Sequence, residues 1–114
     1  MKFLQAMANA DELRPNQISD EMKASWLQRL DEEIGEMMHK SPADIWPEDR
    51  PLLMYSPYDD IYELMLCAKI DYQQGETDLY INDTEVYNKR LAEARAHYRR
   101  HNVPEPSGNW KVGL

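Results

Sequence analysis

Residues 56–80, SPYDDIYELMLCAKIDYQQGETDLY, constrain the fold more tightly than any other part of the chain. At helical spacing, Ile61, Leu64, Met65, Ala68 and Tyr72 make one apolar stripe and Tyr58, Tyr62, Leu66 and Ile70 a second beside it. Asp59, Asp60, Glu63, Lys69 and Asp71 are left for a narrow wet edge. A helix with two apolar stripes must be covered from several sides, so this segment is predicted to be the central element. Its start is marked by Ser56 as N-cap, by Pro57 at the first helical position, where a missing N–H does no harm, and by Asp59 three residues after the cap. Gly75 is placed to take the left-handed conformation after the last turn.

The flanking segments also read as helices. Phe3, Leu4 and Met7 mark a short first helix that Pro15 forbids from continuing. Ser19 caps a longer second helix with Asp20 and Glu21 in its first turn, where negative charge suits the exposed N–H groups. Along it Met22, Trp26, Leu30, Ile34 and Met37 form the expected buried stripe, with Arg29, Asp31, Glu32, Glu33 and Glu36 mostly outside it. Pro42, Pro47 and Pro51 exclude a helix over residues 41–56 and leave an extended connection. After Gly75, Thr77 is expected to cap a fourth helix whose apolar face is Tyr80, Thr84, Tyr87, Leu91, Ala94 and Tyr98. The expectation is therefore an all-α fold: a small four-helix domain over residues 1–101, a proline-rich loop between helices 2 and 3, and an extended C-terminal arm over residues 102–114.

Length and charge narrow the function. A chain of 114 residues makes one domain with one core. The net charge of −8 disfavours loose attraction of the whole molecule to nucleic acid or an anionic membrane. The charge is uneven: residues 1–88 carry 7 Lys and Arg against 19 Asp and Glu, whereas residues 89–114 carry 6 against 2, so the C-terminal end is basic. Cys67, the single cysteine, excludes an internal disulfide and suits a reducing cytoplasm. The N-terminus meets Asn9, Asp11 and Glu12 before a long apolar run forms, unlike a signal peptide. No segment approaches the roughly 18 to 20 apolar residues that a bilayer requires, and a soluble intracellular protein is expected.

Catalytic patterns are sparse. His97 and His101 share a helix face, but a zinc site needs at least three protein ligands, and the residue after His97 is tyrosine, not the glutamate of a zincin helix. Asp59/Asp60 and Glu32/Glu33 are adjacent in sequence, so their carboxylates diverge around a helix and do not form a dyad. Cys67 shows no activating base and reads as a buried thiol. Four glycines make no phosphate loop. No enzyme, cofactor or metal site is expected. The segment YRRHN allows a nucleic-acid hypothesis through Arg95, Arg99 and Arg100 with Tyr98 as a stacking base platform. Set against it is a helix C-terminus dressed with the cations it favours, or a cluster that meets a protein partner or the chain's own acids.

The order ISDEMKASWLQRLDEEI, then WPEDRPLLMYSPYDDIYELMLCAKIDYQQGETDLYINDTEVYNKRLAEARAHYRR, resembles a family of small head-tail connector proteins of tailed bacteriophages. The resemblance covers about residues 10 to 101. Its most specific pieces are SDE leading into W and EI, the PYDDIY helix start, KIDYQQGE and the Tyr87–Asn88 pair. It implies a helical adaptor that forms a homo-oligomeric ring, a dodecamer, beneath the portal protein in the virion neck. Such a ring extends the DNA channel without binding the duplex specifically and offers a platform to the next neck or tail protein. By the same resemblance, portal docking belongs to the C-terminal segment, with Arg99, Arg100, Trp110 and Lys111 as candidates. Trp46, Leu53, Tyr55, Tyr58 and Tyr62 are candidates for contact with a neighbouring subunit or a neck protein, against an ordinary loop packed on its own helices. Asp31, Glu32, Glu33 and Glu36 are candidates for an acidic channel lining that lets the duplex slide. The alternative is a small regulator that binds nucleic acid through the basic end of helix 4.

Overall fold

The computed structural model describes residues 1–41 and 49–102. Within them the fold is all-α, with α1 (Phe3–Leu13), α2 (Asp20–Met38), α3 (Asp60–Gln73) and α4 (Thr77–Asn102), and no strand beyond one antiparallel bridge between Lys2 and Pro51. Helix α3 is central, packed by α1, α2 and α4. Its two apolar stripes therefore both find cover: Ile61, Tyr62, Met65, Leu66, Cys67, Ala68 and Ile70 are buried.

Several local signals act as the sequence predicts. Ser19 Oγ accepts a hydrogen bond from Met22 N at 3.2 Å and caps α2. Gly75 has φ +71°, the left-handed conformation that lets the chain turn between α3 and α4. Along α1, Phe3, Ala6, Met7 and Ala10 bury one face. That helix has no side-chain cap; its first N–H groups are satisfied by the loop, Phe3 N donating to Arg50 O at 3.1 Å and Leu4 N to the Asp49 carboxylate at 3.0 Å.

Other boundaries and faces are corrected. Helix α3 begins at Asp60, not after a Ser56 cap, because residues 56–59 form turns, and Asp59 spends its carboxylate on the Met1 ammonium at 3.3 Å. The Glu76 carbonyl accepts from Tyr80 N at 2.8 Å, so Glu76, not Thr77, stands at the cap position of α4. The buried face of α2 is Ala24, Leu27, Leu30, Ile34 and Met38, leaving Met22 46% exposed and Trp26 and Met37 half-buried. That face includes Lys23 and also Asp31, which the apolar spacing was expected to leave outside the buried stripe. Likewise Asp71 is buried, while Tyr72, expected on a buried stripe, is 66% exposed.

A polar core explains the rotation of α2. The Asp31 carboxylate is fully buried and accepts from Arg50 Nη1, from Tyr62 Oη at 2.7 Å and from Leu53 N at 3.0 Å. Tyr62 Oη in turn accepts from Met54 N at 2.8 Å, and the Arg50 guanidinium lies 4.9 Å from the centre of the Phe3 ring. One carboxylate thus satisfies the backbone of the loop after the prolines and ties α2 to α3. Leu52 and Met54 are buried beside it, so the described part of the connection packs on its own helices.

Candidate functional site

One channel-lining candidate and one contact candidate are withdrawn by this core. Asp31 has no accessible surface and is a structural carboxylate, not a channel-lining one, and Tyr62 is likewise fully buried and meets no neighbour. Burial, with the Asp31 carboxylate beside it, pushes the Tyr62 phenol upward, which holds its proton on the hydrogen bond. Asp31 could have been found in the sequence, since it continues the spacing Leu27, Asp31, Ile34, Met38 of the buried face. Glu32, Glu33 and Glu36 are exposed, Glu32 and Glu36 on the outer face of α2 and Glu33 on its side toward Tyr87 of α4. Trp46, Trp110 and Lys111 lie outside the described residues.

The aromatic candidates gather at the C-terminal end of α4. The His97 ring lies 4.8 Å from Tyr58 and 5.9 Å, edge-on, from Tyr55, and stacks on His101 at 4.2 Å. Tyr98 Oη donates to the Met38 carbonyl at 3.4 Å. Tyr55 and Tyr58 are therefore half-buried against α4, and Leu53 is half-buried against the core. Desolvation and the nearby His101 and Arg100 hold His97 below its ordinary range. Among the described residues no group of three His, Cys, Asp or Glu is arranged to hold a metal ion.

The basic cluster is narrower than the sequence implies. Arg90 is spent on Asp60 at 3.1 Å, on Glu93 at 2.9 Å and on the Pro57 carbonyl at 3.0 Å, with its guanidinium 5.0 Å from the Tyr58 ring. It fastens α4 to the start of α3. Arg99 and Arg100 are exposed and remain as an open basic tip.

A second ionic cluster, unforeseen from the sequence, joins three helices. Arg14, just after α1, donates from Nε to Asp71 of α3 at 3.0 Å and from Nη2 to Asp83 of α4 at 2.9 Å. One cation faces two carboxylates, and Asp71 Oδ2 is buried without a hydrogen-bond partner among the described residues. Burial first, then the adjacent Asp83, push the Asp71 carboxyl up to about 6. Cys67 lies close by, buried, with its thiol pushed up to about 11 by desolvation, so it is no nucleophile at neutral pH.

An open groove runs between α2, α3 and α4. Its wider part, about 410 Å³, has Met65 and Ala68 at its base and Tyr72, Tyr80 and Tyr87 around it; the Tyr72 and Tyr80 rings are 5.3 Å apart. Met65, Lys69 and Tyr87 continue into a narrower part of about 180 Å³ bordered by Trp26, Arg29 and Glu33 of α2. Thr84 Oγ1, on the groove wall, is buried without a hydrogen-bond partner among the described residues. Sequence reasoning assigned Tyr72, Tyr80 and Tyr87 to a covered face; they border a groove because α2 and α4 both lean on α3 but scarcely on each other.

Around α4 the apolar surface continues on two edges. Ile81 is exposed and lies close in helical phase to Asn88, a groove residue. Leu79 and Val86, also exposed, are seven residues apart and share an edge roughly 140 to 160° around the helix from Ile81, at about 100° per residue. That edge adjoins Asp83 and hence the Arg14 cluster at the end of α1, where Leu13 is exposed. The molecule thus carries a tyrosine-rich groove on one edge and an aliphatic strip on another. No helix of the described chain is long and apolar enough to cross a membrane. Comparison with family models, with curated proteins and with solved structures returned no match, so these surfaces themselves carry the functional argument.

Proposed function

We propose that the protein is a non-catalytic structural adaptor: a head-tail connector that assembles as a homo-oligomeric ring, a dodecamer, under a phage portal in the virion neck and presents a platform to the next neck or tail protein. The observation that carries this is the pair of apolar surfaces left on different edges of one small helical domain. A monomer has no use for both, because each exposes aliphatic or tyrosine surface that water penalises. A cyclic assembly uses both, since every subunit meets two neighbours through unlike surfaces. The exposed Glu32 and Glu36 on the outer face of α2 suit a channel wall that repels duplex DNA and lets it slide without specific binding, whereas Glu33 borders the groove. Arg99, Arg100 and the arm with Trp110 and Lys111 are the portal-docking candidates, an aromatic anchor flanked by cations.

The test is to mix the purified protein with its cognate portal, measure the product by size exclusion with light scattering, and image it in negative stain. A second ring stacked on the portal is expected. A folded protein that forms no complex, and that instead retards DNA at near-physiological salt in a manner abolished by Arg99→Ala with Arg100→Ala, would replace the adaptor with a nucleic-acid-binding regulator acting through the basic tip of α4.

A further inference from the structure

We infer that the tyrosine groove of one copy receives the Leu79–Val86 edge of α4 from a second copy, in a head-to-tail contact; this rests on the ring-forming role proposed above and names the surfaces that make it. Three observations lead there. The groove is apolar at its base and aromatic around it, and Thr84 Oγ1 is its one buried polar side-chain atom without a hydrogen-bond partner among the described residues, so it suits a hydrophobic occupant more than a charged small molecule. Its border carries two cations, Arg29 and Lys69, against one acid, Glu33, and neither cation makes an ion pair among the described residues of a chain whose net charge is −8.

The aliphatic edge has the complementary character. Leu79 and Val86 are exposed there, Glu76 lies one turn before Leu79, and Glu12 lies beside Leu13 at the neighbouring end of α1, both acids exposed. Pairing groove with groove would instead set a border of net positive charge against the same border of the other copy and leave the aliphatic edge of each uncovered. Groove-to-edge pairing sets cations against acids and covers both apolar surfaces at once. Because donor and acceptor surfaces differ, the contact repeats from copy to copy and closes into a ring when its rotation divides a full turn.

The experiment uses the full chain and two variants altered only at exposed positions. The groove variant carries Lys69→Glu with Ile81→Asp; the edge variant carries Leu79→Lys with Val86→Lys. Helical circular dichroism spectra and melting temperatures close to the parent's establish that both are folded. By light scattering up to the highest soluble concentration, the parent chain is expected to self-associate and each variant to do so about a hundredfold more weakly. Mixed one to one, the variants should give a species of twice the monomer mass and no larger, because the edge variant keeps a working groove and the groove variant keeps a working edge.

The proposed contact is overturned if either variant assembles like the parent, if the mixture stays monomeric, or if the parent does not self-associate. A parent chain that still stacks as a ring on the portal while its variants behave identically leaves the adaptor role standing and removes only this contact. A one-to-one mixed dimer from a parent that ignores the portal establishes the contact and removes the adaptor role.

Discussion

Replacing Asp31 with alanine should nearly unfold the protein. The carboxylate is fully buried, and it holds Arg50, the Tyr62 hydroxyl and the Leu53 amide at once. Removing one partner of a buried ion pair costs roughly 3–5 kcal/mol, because the other charge stays buried without its carboxylate. Leaving the Leu53 amide without its acceptor adds on the order of 1 kcal/mol or more. The expected loss is therefore about 4–6 kcal/mol, of the same size as the roughly 5–15 kcal/mol that holds a domain of this class together. At roughly 4–8 °C per kcal/mol, the melting temperature should fall by about 20 °C or more. Asp31→Asn keeps the shape and one acceptor and should lose about half as much. Asp31→Leu with Arg50→Met removes both charges and should be less damaging than Asp31→Ala alone. Thermal and urea unfolding followed by far-ultraviolet circular dichroism measures all three. A loss below about 1 kcal/mol for Asp31→Ala would refute the structural role and return Asp31 to the solvent-facing acids, where substitution costs roughly 0.5 kcal/mol or less.

Stability should also depend on pH through Asp71. Its carboxyl is raised to about 6 in the folded protein, so the folded chain holds a proton that the unfolded chain has released above the ordinary carboxylate range. This group's contribution is thus fully present at low pH and is lost as the pH rises through about 6; Asp71→Asn should flatten the difference between melting curves at pH 5 and pH 7.5, and an unchanged difference would refute the assignment. Asp83→Asn should lower the Asp71 midpoint, seen by carboxyl NMR titration, because it removes the adjacent like charge. At the end of α2, His39 takes φ +58°, and His39→Gly should raise stability by about 0.5–1 kcal/mol in urea unfolding. Gly35→Ala should lower it by on the order of 2 kcal/mol, since a Cβ there would sit 2.5 Å from the Lys40 carbonyl oxygen, part of the backbone that closes the helix.

Much of this architecture is legible from local chemistry. Prolines break helices whatever their surroundings, a serine hydroxyl at Ser19 caps the amides beside it, and Gly75 takes a left-handed turn because it has no Cβ to clash. The number of helices, the central place of α3 and the division of charge along the chain follow from such short-range rules and from apolar spacing. The start of α3 was missed because the chain after Ser56 has a better use for its groups: Asp59 reaches the N-terminal ammonium and Tyr58 N donates to the Tyr55 carbonyl.

Only the tertiary structure decided which charged side chains go inside. Asp31 finds Arg50 19 residues away, Asp71 finds Arg14 57 residues away, and Lys23 meets Asp11 at 2.8 Å from another helix. Even where the spacing places such a residue on a buried face, as it does Asp31, burial of a charge is allowed or forbidden by a partner that the local pattern does not contain. The same limit applies to the groove. Tyr72, Tyr80 and Tyr87 are apolar enough to be covered, and the sequence alone determined that they lie on helix faces rich in such residues; whether a neighbouring helix reaches them depends on how α2 and α4 are set around α3, which is fixed by packing between segments far apart in the chain.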